Sequence, residues 1–201
     1  MAEIEQISDQ RLIKGARARA TIARRAADVA SVEGLTGLSL GRLAGDLGLS
    51  KSGVATLFGT KENLQLAAVR AAREIFVEHV VKPALAEPEG MARLRAIVDN
   101  WFDYISEPVL PGGCFRVATT AEFDSRPGPI RDAIDADRRD WFALLEKEIS
   151  RAQSQGRLAG GDARALAFQL DAIVAAANTG ARLGDEAAVP TARTIVEGLL
   201  G

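Results

Sequence analysis

Apolar residues recur every three or four positions along most of this chain, which is the spacing of one buried face of an α-helix. No segment shows the strict alternation of apolar and polar residues that is typical of a half-buried strand. Glycines, prolines and helix-capping residues divide the periodic segments into about nine units. The pattern therefore predicts an all-α protein.

The predicted helices begin at capping residues and end at glycine or proline. The first runs from about Asp9 to Glu33 and ends at Gly34. Ser39, Ser50 and Thr60 are placed to cap the second, third and fourth helices. The later boundaries are an end of the fourth helix between Pro83 and Pro88, a helix through Leu94–Ile105 that stops before Pro108, a short segment Cys114–Phe123, a helix from Pro129 to Gly156, and helices over residues 162–183 and 187–200.

Residues 40–61 contain two short helical segments on either side of Gly48. Gly48 can adopt the left-handed conformation that ends a helix without steric cost. Ala44 is small enough to let the two helices cross closely, and Leu49 is expected to fill the corner between them. Two short helices that meet at a steep angle leave the second one protruding, so it can enter the major groove of DNA. The segment therefore predicts a helix-turn-helix.

Positive charge is concentrated around this helix-turn-helix. Residues 10–61 contain nine Lys and Arg residues against three Asp and Glu residues, which gives the segment a net charge of +6. The whole chain carries −2, so the residues outside this segment sum to −8. A basic N-terminal quarter joined to an acidic remainder predicts a DNA-binding face on a body that repels DNA.

Six polar side chains of this segment are expected to face DNA. Lys51 is placed to donate to guanine, and the methyl group of Thr56 is placed to contact thymine. Lys61 is expected to bind phosphate at the start of the fourth helix, and Arg42 to contact the DNA backbone rather than bases. The alternative is that all are solvated surface residues. The set is Arg42, Ser50, Lys51, Ser52, Thr56 and Lys61.

The composition argues against several other classes of protein. With 47% hydrophobic and 26% charged residues, the 201-residue chain is expected to be an ordinary soluble globular protein. One cysteine and one histidine leave no intrachain disulfide, no typical zinc site and no credible catalytic set, so we expect no metal, cofactor or enzymatic activity. The sequence has no long apolar run and no N-terminal signal segment, so we expect no membrane span and a cytoplasmic location.

Aromatic residues form 5% of the chain, and those in its central part are candidates for an apolar ligand cavity. Ordinary core packing is the alternative, and it is the commoner role of an aromatic residue at helical spacing. Cys114 is a sensor thiol if Arg116 stabilises its thiolate, and a buried core residue otherwise. The candidate ligand-binding residues are Trp101, Tyr104, Phe115 and Phe123.

The helix predicted over residues 162–183 carries an apolar stripe beside small residues, which allow two helices to approach closely. The stripe predicts either a symmetric interface between two copies of the chain or packing within one monomer. Its members are Leu166, Leu170, Ile173, Val174 and Ala177.

Two sets of short motifs occur in this chain in a characteristic order. The first is Arg19–Ile22, Ala26–Ala27, Gly34, Leu43–Ala44, Gly48–Lys51, Phe58 and Thr60–Leu64, and the second is Pro111–Phe115, Ala121–Asp124 and Arg126–Pro129. The first set resembles the tetracycline-repressor-like (TetR/AcrR) family of transcriptional regulators, and the second is similar to a pattern in one branch of it. The resemblance implies a homodimer with a three-helix DNA-binding head, residues 1–60, and a helical body, residues 61–201.

By the same resemblance, the body binds a small molecule and dimerises through its last two long helices, which favours the dimer interpretation of the apolar stripe. The recognition helix departs from the family pattern. Ala55, Thr56 and Leu57 stand where many relatives have two tyrosines and a histidine, so the contacts of those side chains do not transfer to this chain.

We therefore expect a ligand-responsive transcriptional regulator, in particular a repressor that a small-molecule effector releases from a palindromic operator in double-stranded DNA. Ligand in the body would shift the fourth helix and change the separation of the two heads, provided that it binds the released state more tightly. The alternative is a helical dimeric adaptor or ligand-binding protein without specific DNA binding. Only the regulator should form a specific DNA complex that weakens steeply with salt.

Overall fold

The computed structural model describes residues 2–107 and 109–201, and those residues form nine helices and no strand, which confirms the all-α prediction. Pro108, the predicted stop of the fifth helix, lies outside the described residues. The helices are α1 (Ala2–Glu33), α2 (Leu40–Asp46), α3 (Lys51–Phe58), α4 (Lys61–Phe76), α5 (Met91–Ser106), α6 (Phe115–Phe123), α7 (Pro129–Ser154), α8 (Ala163–Arg182) and α9 (Ala188–Leu200).

Helix α1 differs from the prediction at its start, and α4 differs in the conformation of its last turns. Helix α1 begins at Ala2 rather than near Asp9, so the acidic N-terminal residues are helical as well. Helix α4 is prolonged by a π-helical turn, Val77–Val81, and a short helical turn, Lys82–Ala84. Pro83 therefore lies in the last helical turn, and the segment ends at Ala84, between Pro83 and Pro88 as predicted. Because proline has no N–H and crowds the preceding turn, a widened turn lets the helix pass it.

The three predicted caps are confirmed. Side-chain oxygens accept hydrogen bonds from backbone amides three residues later: Ser39 from Arg42 at 3.2 Å, Ser50 from Gly53 and Thr60 from Asn63, both at 3.1 Å. Each bond satisfies one of the free N–H groups in the first turn of a helix. These local interactions fix where α2, α3 and α4 start.

The turn between α2 and α3 forms as predicted except at Leu49. Gly48 has a φ of +64°, and Ala44 is buried. Leu49 does not fill the corner between the helices, because 45% of its surface is exposed. Its amide donates to the carbonyl of Ala44 at 2.8 Å, which closes the turn through the backbone. The core of the head is formed instead by side chains such as Ile22, Leu38, Leu43, Val54 and Phe58.

The head packs directly on the body. Helix α1 lies along α4 and also contacts α6. The loop before α6 lies against the end of α1, where the Gly112 amide donates to the Ser31 hydroxyl at 2.9 Å. In the body, α8 packs between α7 and α9. Within the described residues, no helix is both long and apolar enough to cross a membrane.

Candidate functional site

Helix α3 is held on the outside of the head with most of its polar residues exposed. Val54 and Phe58 anchor its buried side. Arg19 of α1 braces its end, because its guanidinium lies 5.0 Å from the Phe58 ring and donates to the Leu57 carbonyl at 2.9 Å. Ser50, Lys51, Ser52 and Thr56 all lie on the exposed side. This arrangement presents a rigid, polar helix surface of the kind that enters a DNA groove.

Ion pairs within the head neutralise some of its charged side chains and leave others unpaired within the segment. Each acidic residue of segment 10–61 pairs with an arginine: Arg24–Asp28 at 3.3 Å, Arg25–Asp46 at 2.8 Å and Arg42–Glu33. These pairs involve all three carboxylates of that segment, so its other cations have no acidic partner within the segment. Among the described side chains these cations are Lys14, Arg17, Arg19, Lys51 and Lys61.

All six predicted DNA-facing residues are exposed, and the structure gives several of them hydrogen bonds within the head. Arg42 forms a two-pronged ion pair with Glu33, and its hydrogen bond lowers the pKa of that carboxyl. Lys61 Nζ donates to the Thr36 carbonyl at 2.6 Å. The Ser52 hydroxyl donates to Ser50 at 3.3 Å. Lys51 stands in the exposed first turn of α3, so among the six it is the candidate best placed to read bases.

A cavity of about 320 Å³ lies in the body, among α4, α5, α6, α7 and α8. Its volume falls within the range of small-molecule sites, roughly 300–1,000 Å³. Most of the wall is apolar, and one buried donor faces a weak partner: the Trp101 indole N–H lies beside the Cys114 thiol and has no hydrogen bond among the described residues. The apolar wall residues are Val69, Trp101, Phe115, Val117, Ile134 and Ala175.

Charged side chains at the cavity were not among the sequence candidates for ligand binding. The Arg116 guanidinium lies 5.0 Å from the ring centroids of both Phe76 and Trp141 and pairs with Asp137 at 3.1 Å. Asp171 accepts a hydrogen bond from the Trp141 indole at 3.1 Å, and burial raises the pKa of its carboxyl. The available sequence signal was a carboxyl within the otherwise apolar residues 170–177, but its partners lie on other helices.

The four predicted ligand-binding aromatics are all buried but do not form one site. Trp101 and Phe115 line the cavity. Phe123 lines a neighbouring cavity of about 210 Å³, which shares Thr120, Asp124, Ile134 and Arg138 with the first. Tyr104 packs edge-on against Phe76, at 5.5 Å between ring centroids, and is not part of either wall. Burial raises the pKa of Tyr104 above its ordinary value.

Cys114 is expected to resist alkylation in the folded protein. It is 1% exposed, and burial raises the pKa of its thiol although Arg116 opposes that shift. Since the thiolate is the reactive form, iodoacetamide should modify the native protein at least about 100-fold more slowly than the unfolded chain at neutral pH. Mass spectrometry of timed samples measures both rates. Similar rates would mean that the thiol is open to reagents, as a sensor requires.

The predicted dimer stripe on α8 faces mainly inward. Leu170 and Val174 are fully buried and Ala177 is 3% exposed, so these three have almost no surface to offer a partner. They fill the space between α8 and the rest of the body, which is the monomer-packing alternative. Leu166 and Ile173 are half-buried at the edge of this core.

The opposite side of α8 carries exposed apolar and small residues. Phe168 is 58% exposed, and Ala172 and Ala176 follow it on the same face. On α9, Ile195 is 48% exposed. A Cβ added to Gly180 would lie 2.5 Å from the Cβ of Ala188, so the glycine allows α8 and α9 to approach closely and form one surface. We call this exposed surface the α8–α9 face.

Comparison with known proteins gives a consistent result. Residues 90–196 match the model of the tetracyclin repressor-like C-terminal domain. Among curated protein sequences, none matches the chain. A TetR transcriptional regulator from Chloroflexus aurantiacus J-10-FL is 26% identical with a TM-score of 0.82, over 90% of this chain and 92% of the other.

Two further structural neighbours contain ligands. A putative transcriptional regulator from Saccharomonospora viridis in complex with choline is 20% identical, with a TM-score of 0.79 over 91% of this chain and 95% of the other. AibR in complex with isovaleryl coenzyme A and operator DNA is 23% identical, with a TM-score of 0.67 over 80% of this chain and 86% of the other. At these identities, both show the shared fold.

Proposed function

This chain belongs to the tetracycline-repressor-like family of transcriptional regulators, and from that premise we propose that it is a repressor which a small molecule releases from DNA. The observation that carries the proposal is the exposed helix α3, in a head whose ion pairs leave Lys51 and other cations without acidic partners from the same segment. Unpaired cations at a protruding helix provide both phosphate attraction and contacts to base edges.

The cavity supports a role for a small-molecule effector. Val69 and Arg73 of α4 lie on its wall, and α4 also packs against α1 of the head. A molecule in the cavity therefore touches the helix that joins the two parts. The mostly apolar wall selects for an effector that is largely apolar. The choline and isovaleryl coenzyme A complexes of two neighbours support small-molecule binding in this fold.

The proposed operator is near-palindromic because the proposed assembly is a two-fold dimer. We assign the dimer contact to the α8–α9 face, whose exposed Phe168 and Ile195 would be covered by the same residues of a second copy. Effector binding releases DNA only if the effector binds more tightly to the DNA-free arrangement of the two heads.

Lys51→Ala is expected to weaken binding to the operator by roughly tenfold or more, because one good base contact contributes about 1–3 kcal/mol. The slope of log affinity against log salt should also change by about one if Lys51 contacts a phosphate instead. Fluorescence anisotropy on an operator recovered from genomic fragments measures both.

Lys82→Ala is the matched control for this change. Lys82 is exposed on the extension of α4 and pairs only with Glu78 of the preceding turn among the described residues. Its loss should therefore leave operator affinity within about twofold of the parent. Equal operator affinities of the Lys51 and Lys82 variants would contradict the proposed contact between α3 and DNA. A complex that is insensitive to salt would favour the adaptor alternative.

A further inference from the structure

A carboxylate of the body is held by the turn that follows α1 in the head. Glu122 of α6 accepts hydrogen bonds from the backbone amides of Leu35 and Thr36, each at 2.7 Å. The Thr36 hydroxyl donates to the same carboxylate. Hydrogen bonds to an ionised acceptor are among the stronger ones in proteins. Glu122 is therefore a direct polar connection from the body to the head.

The turn is shaped to receive this carboxylate. Gly34 has a φ of +75°, and a Cβ at this position would lie only 2.7 Å from Oε2 of Glu122. A glycine in the left-handed conformation followed by two amides that point to one anion forms a small anion-binding nest. The fit between Gly34 and Glu122 joins positions 88 residues apart in the chain.

Helix α4 holds the other side of the same turn. Gln65 Nε2 donates to the Leu35 carbonyl at 2.7 Å, and Lys61 Nζ donates to the Thr36 carbonyl at 2.6 Å. The amides of the turn thus face α6 and its carbonyls face α4. Both of these helices also contribute to the cavity wall, so the turn lies between the two elements that a bound molecule would touch.

The helix that carries Glu122 is itself part of the cavity. Phe115 and Thr119 are buried on the cavity side of α6, and Thr119 lies three residues before Glu122. Because α6 has only nine residues and internal hydrogen bonds, a displacement of its cavity side moves its last turn as well.

We propose that Glu122 is the residue through which occupancy of the cavity reaches the head. A molecule that enters the cavity displaces α6, withdraws the Glu122 carboxylate from the Leu35 and Thr36 amides, and frees the head to move. The inference rests on the proposed function only in taking the cavity as the effector site. Glu122 is a positioning residue, since it is not part of the cavity wall.

Amide hydrogen exchange tests the connection without knowledge of the effector. Val117→Trp fills the cavity with an indole and serves as the probe for occupancy, because Val117 lies on the cavity wall. We expect exchange at the Leu35 and Thr36 amides to become at least about tenfold faster in this variant, as in Glu122→Gln. Unchanged exchange at these two amides in either variant overturns the proposal.

Two further variants serve as a second probe for cavity occupancy and as a control for charge. If Val117→Trp fails to fold, Ala121→Trp fills the exposed mouth of the same cavity with less demand on packing. Glu186→Gln removes the same charge from an exposed loop position and should leave exchange at the Leu35 and Thr36 amides within about twofold of the parent. Faster exchange in the Glu186 variant would attribute the effect to net charge and overturn the role of Glu122.

Operator affinity separates this proposal from the proposed function. In the parent, Val117→Trp should weaken operator binding, and in the Glu122→Gln background it should add less than about a twofold further change. An undiminished effect in that background overturns the role of Glu122 while leaving the regulator intact. A chain with no operator contradicts the proposed function, and the exchange experiment still decides whether Glu122 links cavity and head.

Discussion

Replacing Gly112 with alanine is expected to lower the melting temperature by roughly 5–10 °C, the result of a loss of about 2–3 kcal/mol in a chain of this size. A Cβ at this position would lie 1.8 Å from the carbonyl oxygen of Ser31 and 2.6 Å from the amide nitrogen of Val32. These are backbone atoms near the end of α1, so the collision can be relieved only by moving the end of α1 or the backbone of the loop before α6. Calorimetry or thermal circular dichroism measures the change.

Gly160→Ala is the control for that substitution. Gly160 lies in the loop between α7 and α8, and an added Cβ would have no neighbour within 4 Å among the described residues. Its melting temperature should stay within about 2 °C of the parent. Equal melting temperatures for the two variants would mean that the loop before α6 yields easily, contrary to the tight packing of the head on the body.

Phe168→Asp combined with Ile195→Asp is expected to weaken dimerisation at least about 100-fold and to lower operator affinity with it. In a two-fold interface each substitution appears twice, so four unpaired carboxylates would be buried where apolar side chains should meet. A single head would then bind its half-site without the gain from simultaneous attachment of the second. Sedimentation velocity gives the mass, and anisotropy gives the DNA affinity.

Leu85→Asp is the matched control for these changes. Leu85 is 52% exposed and follows the α4 extension, so it belongs to neither α8 nor α9. This variant should keep the parent mass and operator affinity within about twofold. A Phe168 and Ile195 double variant that remained a dimer would exclude the α8–α9 face as the interface.

The parts of the fold that local chemistry determines could be predicted from the sequence. Ser39, Ser50 and Thr60 cap their helices through contacts within three residues, so a short segment contains all the information needed. The turn at Gly48 follows from one backbone preference. The π-helical turn before Pro83 was not predicted, because apolar residues continue at helical spacing through it.

The parts that depend on distant contacts could not be predicted in this way. Helix α8 has two apolar faces, and periodicity does not show which of them packs against the body. The prediction favoured the stripe with the larger side chains as the interface. The structure buries most of that stripe within the monomer. The contact between Glu122 and Leu35 joins positions 87 residues apart. The charged residues at the cavity likewise come from separate helices, as Arg116 and Asp137 illustrate.

Selection of genomic fragments by the purified protein at about 150 mM salt tests the central claim most directly, because at that ionic strength weak electrostatic binding is largely screened. The account predicts that the parent enriches a near-palindromic site and that Lys51→Ala loses this enrichment while Lys82→Ala keeps it. Failure of the folded, dimeric parent to enrich any fragment would contradict the assignment of α3 as a DNA-reading helix and favour the adaptor alternative.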